Sequence, residues 1–174
     1  EQPVGVDVGI MHGEVGAHGT DRRGVELCGR VPAMNDENLR AVDITRVSKG
    51  VYEATNRHGV TMTFGHDNTK MFSSVELLLA ALGGCTGIDV DHLTSRRSEP
   101  SRFEITVEAD KVSDPTTGNH LENVTVTFSL RFDDGPDGDA ARDVLPVAVQ
   151  RSHDRLCTVG RSLELPTPVT TRIQ

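Results

Sequence analysis

"LLLAALGGCTGIDVDHL", residues 77–93, places Cys85 directly after two glycines in an apolar run, with polar residues crowding in downstream. Just upstream, "FSSVELLLAAL" (72–82) starts a helix: Ser73 or Ser74 can cap it, and Glu76 suits its electropositive first turn. Leu77, Leu78, Leu79, Ala80, Ala81 and Leu82 cover every side, which predicts a helix buried all round. Gly83-Gly84 costs roughly 1 kcal/mol per residue relative to alanine inside a helix. Either the pair lets another element approach closely, or it ends one helix and starts a second from about Cys85 to Arg97. The second alternative puts Cys85 at a helix start, where backbone N–H groups and the dipole favour an anion and so a nucleophilic thiolate. A lone cysteine in an apolar helix also reads as a small buried filler.

Working outward, "LRAVDITRV", "GVYEATN" and "GVTMTFGH" read as strands, with a hairpin loop at Asn56-Arg57-His58-Gly59. "RFEITVEAD" and "NVTVTFSLRF" alternate apolar and polar residues as two further strands, joined by the turn-rich "DPTTGN". Acidic turns follow, then a helix that Pro146 either kinks or begins, with Cys157 late in it. "PVTTRI" (168–173) reads as a closing strand. Strands, paired helices, strands, helix, strand is an α+β order, not a repeating βαβ one.

The net charge of −8 repels phosphate backbones, and the six aromatics form no stacking platform, so nucleic acid is an unfavourable partner. The longest apolar run, Leu77–Leu82, is core-sized, far short of a membrane span. The N-terminus lacks the basic-then-apolar order of a signal peptide, so the expected address is the cytoplasm. Cys28, Cys85 and Cys157 lie far apart, which argues against a disulfide framework or a C-x-x-C site. Residues 1–33 hold 7 of the 17 glycines and no aromatic. They are expected to be an appended or non-native leader, with the compact domain over 34–174 and Cys28 an incidental thiol. His58, His66 and Asp67 show no established metal spacing.

Two cysteines in helical segments with polar neighbours suit a peroxidatic cycle, in which one thiolate becomes a sulfenic acid and the other resolves it as a disulfide. Here the motifs become specific. "SSVELLLAALGGCTGIDV" and "SHDRLCTVGRSL" resemble the two signature segments of the OsmC/Ohr family, the osmotically inducible protein C-like and organic hydroperoxide resistance proteins. Those segments are an "ELLLAALGGC"-type helix with the first cysteine and a later "CxV"-type helix with the second. The match runs over about residues 40–174 in order and element type.

The resemblance implies an intertwined homodimer with antiparallel sheets around buried central helices and active sites at the subunit interface. It implies reduction of organic hydroperoxides, in some members also hydrogen peroxide, with Cys85 as the peroxidatic thiolate and Cys157 as the resolving thiol. It further implies an external dithiol reductant, dihydrolipoamide in one branch, and no metal, flavin or other cofactor.

A family arginine from the N-terminal strands stabilises the thiolate. Arg57 occupies the matching region and Arg46 is the reserve candidate; a guanidinium there can also hold the peroxide oxygen. The sequence departs at the acidic partner, which the organic-hydroperoxide branch places ten residues before the first cysteine. That position is Val75, and Glu76, nine before Cys85, matches the next motif position. In one straight helix Glu76 and Cys85 face opposite ways, so Glu76 reaches the site only if the helix breaks at the glycines. Thr86 stands where peroxidase branches often place an aromatic, and "GGCTGIDV" resembles the less characterised OsmC-like branch. Asp89, four residues after Cys85, shares its helical face; it can accept a bond from Arg57 or oppose thiolate formation. Asp91 and His92 read as the helix's polar end. The rival reading is a small-molecule binding or redox-sensing protein on the same dimer.

Overall fold

The computed structural model describes residues 38–66 and 70–173. The expected leader, Cys28 and Asp67 lie outside the described residues. All strands and helices among the described residues belong to the compact unit Val42–Gln174.

Three short strands, β1 (Val42–Ser48), β2 (Val51–Asn56) and β3 (Thr61–Gly65), form an antiparallel sheet in that order. The β2–β3 connection is the expected hairpin. Asn56 Oδ1 accepts from the His58 and Val60 amides at 2.9 and 3.1 Å, and Gly59 takes the positive φ of 78° that closes the turn. Register pairs Ile44 with Ala54 and Ala54 with Met62, so these residues share one face, where Ile44 and Met62 remain exposed.

A long hairpin, β4 (Pro100–Asp114) and β5 (Gly118–Phe132), forms the second sheet. Asp114 Oδ1 ties its turn by accepting from the Thr116 and Thr117 amides at 2.8 and 2.7 Å, which holds that carboxyl below its usual range.

Between the sheets in sequence runs α1 (Ser74–Thr94), 21 residues without a break. This corrects the expectation of two helices meeting at Gly83-Gly84, and the reason is packing. A Cβ on Gly83 would lie 2.8 Å from Val107 Cγ2, and one on Gly87 2.6 Å from Ile105 Cδ1. The glycines bring β4 close against the helix, the first of the two alternatives. Nor is α1 buried all round: Val75, Leu78 and Ile88 are exposed, Ile88 at 72%. Ser73 caps the helix in a reciprocal box, its Oγ accepting from the Glu76 amide at 3.2 Å while Glu76 Oε2 accepts from the Ser73 amide at 2.7 Å.

The chain then enters α2 (Pro136–Arg151). Its start is Pro136, whose fixed φ and missing N–H suit the first turn; Pro146 neither begins it nor ends it but lies inside. A π-turn, Ser152–Leu156, leads to a short α3 (Thr158–Glu164). Cys157 is therefore not late in a helix but at the junction between these two. Residues 168–173 form no strand: Val169 and Ile173 are almost wholly exposed, and β-branched residues make a strand only beside a partner edge. No helix among the described residues is long and apolar enough to cross a membrane.

Candidate functional site between helix α1 and the π-turn

Cys85 is the twelfth of the 21 residues of α1 and is half-buried. The field of a helix end fades within its first turn, so the helix-start argument for Cys85 does not hold. What Cys85 has instead is a neighbour. Its thiol acts on that of Cys157, which is fully buried, and so lies beside it. Both thiols are free. The contact across 72 residues of sequence is made by α1 packing against the π-turn and α3.

The π-turn sets where Cys157 points. The Cys157 amide donates to the Ser152 carbonyl at 3.0 Å, a five-residue reach that widens the backbone by one residue and turns the next side chain inward. Cys157 then caps α3, its Sγ accepting from the Gly160 amide at 3.2 Å. Burial pushes the Cys157 thiol up to about 11, with the neighbouring Cys85 and Asp89 adding to the rise against the Gly160 amide. Cys157 thus keeps its proton at neutral pH.

Asp89 extends the site. Its Oδ2 accepts from Ser152 Oγ at 2.8 Å, joining α1 to the π-turn. Ser152 gave no signal in the sequence, because its role depends on a π-turn that residue spacing does not announce. Thr86 is buried and donates to the Leu82 and Gly83 carbonyls at 3.0 and 3.2 Å, so its hydroxyl is satisfied within the helix. It borders a cavity of about 370 Å³ that also touches Leu82, Val126, Phe128, Val149 and Cys157. A largely apolar chamber, with His153 and Glu164 also in its lining, thus opens beside the buried thiol.

The other residues singled out in the sequence are elsewhere. Arg57 lies at the exposed β2–β3 turn and Arg46 on exposed β1; neither lines this cavity nor acts on Cys157. Glu76 is engaged in the α1 capping box, which holds its carboxyl below the usual range through Ser73. It lines a different groove, between α1 and β4, beside Phe72, Gly84 and Phe103. With α1 unbroken, Glu76 does not meet Cys85 within one chain. Among the described residues no three His, Cys, Asp or Glu side chains come together as a metal site.

The model of the family described as OsmC-like protein matches residues 65–172, more than half of the chain and all of the thiol site. The chain belongs to the OsmC-like family. Two solved structures share its fold. A hypothetical protein from Aquifex aeolicus VF5 superposes with a TM-score of 0.59 at 19% identity, covering 72% of this chain and 87% of that one. An OsmC-like protein of unknown function from Vibrio cholerae O1 gives 0.58 at 10% identity, over 72% and 94%. No curated protein sequence matches. In this OsmC-like chain the family match spans the two cysteine segments and the elements that bring them together, and the α+β class expected from the sequence holds.

Proposed function

We propose that this OsmC-like protein is a thiol peroxidase that reduces hydroperoxides through Cys85 and Cys157. The observation that carries this reading is the contact between the two motif cysteines, one half-exposed and one buried as a thiol. The Cys85 thiolate attacks the peroxide: an S–O bond forms, the O–O bond breaks, and the alkoxide leaves as an alcohol on taking a proton. Cys157 then attacks the sulfenic acid: the S–S bond forms, the S–O bond breaks, and the Cys157 proton leaves with hydroxide as water. An external dithiol, dihydrolipoamide or another of its class, exchanges with the disulfide and restores both thiols.

Excess cumene hydroperoxide with dihydrolipoamide tests the reading. Consumption of many equivalents per chain is expected. A plateau near one equivalent would instead identify a redox sensor or binding protein.

The same reading includes a homodimer. The single chain leaves apolar surface on α1 around Ile88 and on the Ile44–Met62 sheet face, and Gly84 has open space in front of it. A second copy covering these surfaces would also bring the strands that carry Arg46 and Arg57 toward a thiol site they do not reach in their own chain. Ile88→Glu, which sets a charge in that surface, is expected to convert a dimer to monomers in sedimentation velocity. A wild-type chain that sediments as a monomer at micromolar concentration would contradict the dimer.

A further inference from the structure

Asp89 follows Cys85 by one helical turn on the same face of α1. Ser152 begins the π-turn and is only 1% exposed. Its hydroxyl donates to Asp89 Oδ2 at 2.8 Å, while its carbonyl accepts the Cys157 amide at 3.0 Å. One buried serine therefore ties the carboxylate beside the first cysteine to the backbone of the second. The tie fixes both the distance between the thiols and the direction in which Cys157 faces.

We propose that Asp89 and Ser152 are the positioning pair of the thiol site: Ser152, bonded to the Asp89 carboxylate, holds the π-turn on α1 so that Cys157 lies beside Cys85. The redox role of the two thiols rests on the peroxidase reading; the positioning of the pair does not. The charge acts on a buried sulfur. Around Cys157, α1 presents Cys85 and Asp89, the π-turn presents His153, and α3 presents Glu164, which pairs with His153 at 3.4 Å and with Arg161. The β5 side is apolar, with Val124, Val126 and Phe128. Burial is the main cause that raises the Cys157 thiol, and the Cys85 thiol and then the Asp89 charge add to it.

Such an arrangement has a chemical purpose in a two-cysteine cycle. A resolving group that became a thiolate early would itself meet peroxide, and two sulfenic acids cannot close a disulfide by losing one water. Holding Cys157 protonated until Cys85 carries oxygen orders the two steps.

Two measurements on the full chain test the pair without using peroxide. The first compares iodoacetamide labelling of Cys157 against pH in Cys85→Ser and in Cys85→Ser/Asp89→Asn, read by peptide mass. Asparagine keeps an acceptor for Ser152 and removes the charge. The labelling midpoint is expected to fall by about 0.3 pH units, making labelling at pH 8 roughly twofold faster; an unchanged midpoint would overturn the role of the charge. The second follows closure of the Cys85–Cys157 disulfide by diamide, which takes up the two thiol hydrogens, in wild type and in Ser152→Ala. Closure about tenfold slower in the variant is expected when the tether is lost, and closure at the wild-type rate would overturn the positioning role. Failure of the peroxidase reading would show separately, as absent turnover in the wild-type chain.

Discussion

Cys85→Ser is expected to abolish peroxide turnover, with kcat falling by at least about a thousandfold, while the melting temperature stays within a few degrees of wild type. Serine fits the half-buried position on α1, but its hydroxyl stays protonated at neutral pH and cannot attack the peroxide oxygen. The contrast with Cys157→Ser separates the roles of the two sulfurs. That variant still performs the first oxidation and stops after one equivalent, leaving a sulfenic acid on Cys85 that dimedone traps. Steady-state assays, dimedone labelling and thermal melts on both variants check the assignment. Turnover retained in Cys85→Ser would remove this residue from the mechanism.

The second large effect is on stability at alkaline pH. Burial, Cys85 and Asp89 raise the Cys157 thiol from 9.0 to about 11 in the folded chain. The folded state therefore favours the protonated sulfur, and the associated stability is fully present below pH 9. As pH rises through the window from about 9 to 11, the unfolded chain loses this proton first, and stability falls. The expected loss is up to about 3 kcal/mol across that window. Cys157→Ala should be less stable than wild type at pH 7, because it leaves a small void, yet lack this alkaline decline. Urea denaturation at pH 7, 9 and 10.5 on both chains measures the difference. Parallel declines would place the alkaline effect on another group.

Much of the site was readable from residue order, because the two cysteine segments carry it. The helix start over residues 72–82, a serine cap at Ser73 or Ser74 and the strand alternation around Phe103 and Val126 all follow from local spacing and turn chemistry. What failed was reasoning that stopped at one segment. Gly83-Gly84 reads as a break when α1 is considered alone; beside β4, Gly83 and Gly87, with Val107 and Ile105 against their missing side chains, join two elements. That difference removed the helix-start account of Cys85 and left Glu76 in its capping box.

Longer-range effects hid the rest. Pro146 suggested a boundary, yet α2 accepts it, and the departure from α-helical geometry comes later, at Ser152. The π-turn there has no composition of its own, so Ser152 could not be picked out from the many serines of the chain. Asp89 could be placed beside Cys85 by its spacing of four, but its partner belonged to a turn with no sequence signature. Residues 168–173 carry strand-forming side chains without a neighbouring edge to pair with.

The central claim is that Cys85 and Cys157 act as one redox pair. The most direct measurement is intact mass and peptide mapping of reduced protein after one equivalent of cumene hydroperoxide. The account predicts a loss of about two mass units mapped to a Cys85–Cys157 bridge, with no oxygen retained on either sulfur. Unmodified thiols, or stable oxygen on Cys85 with Cys157 still free, would contradict it.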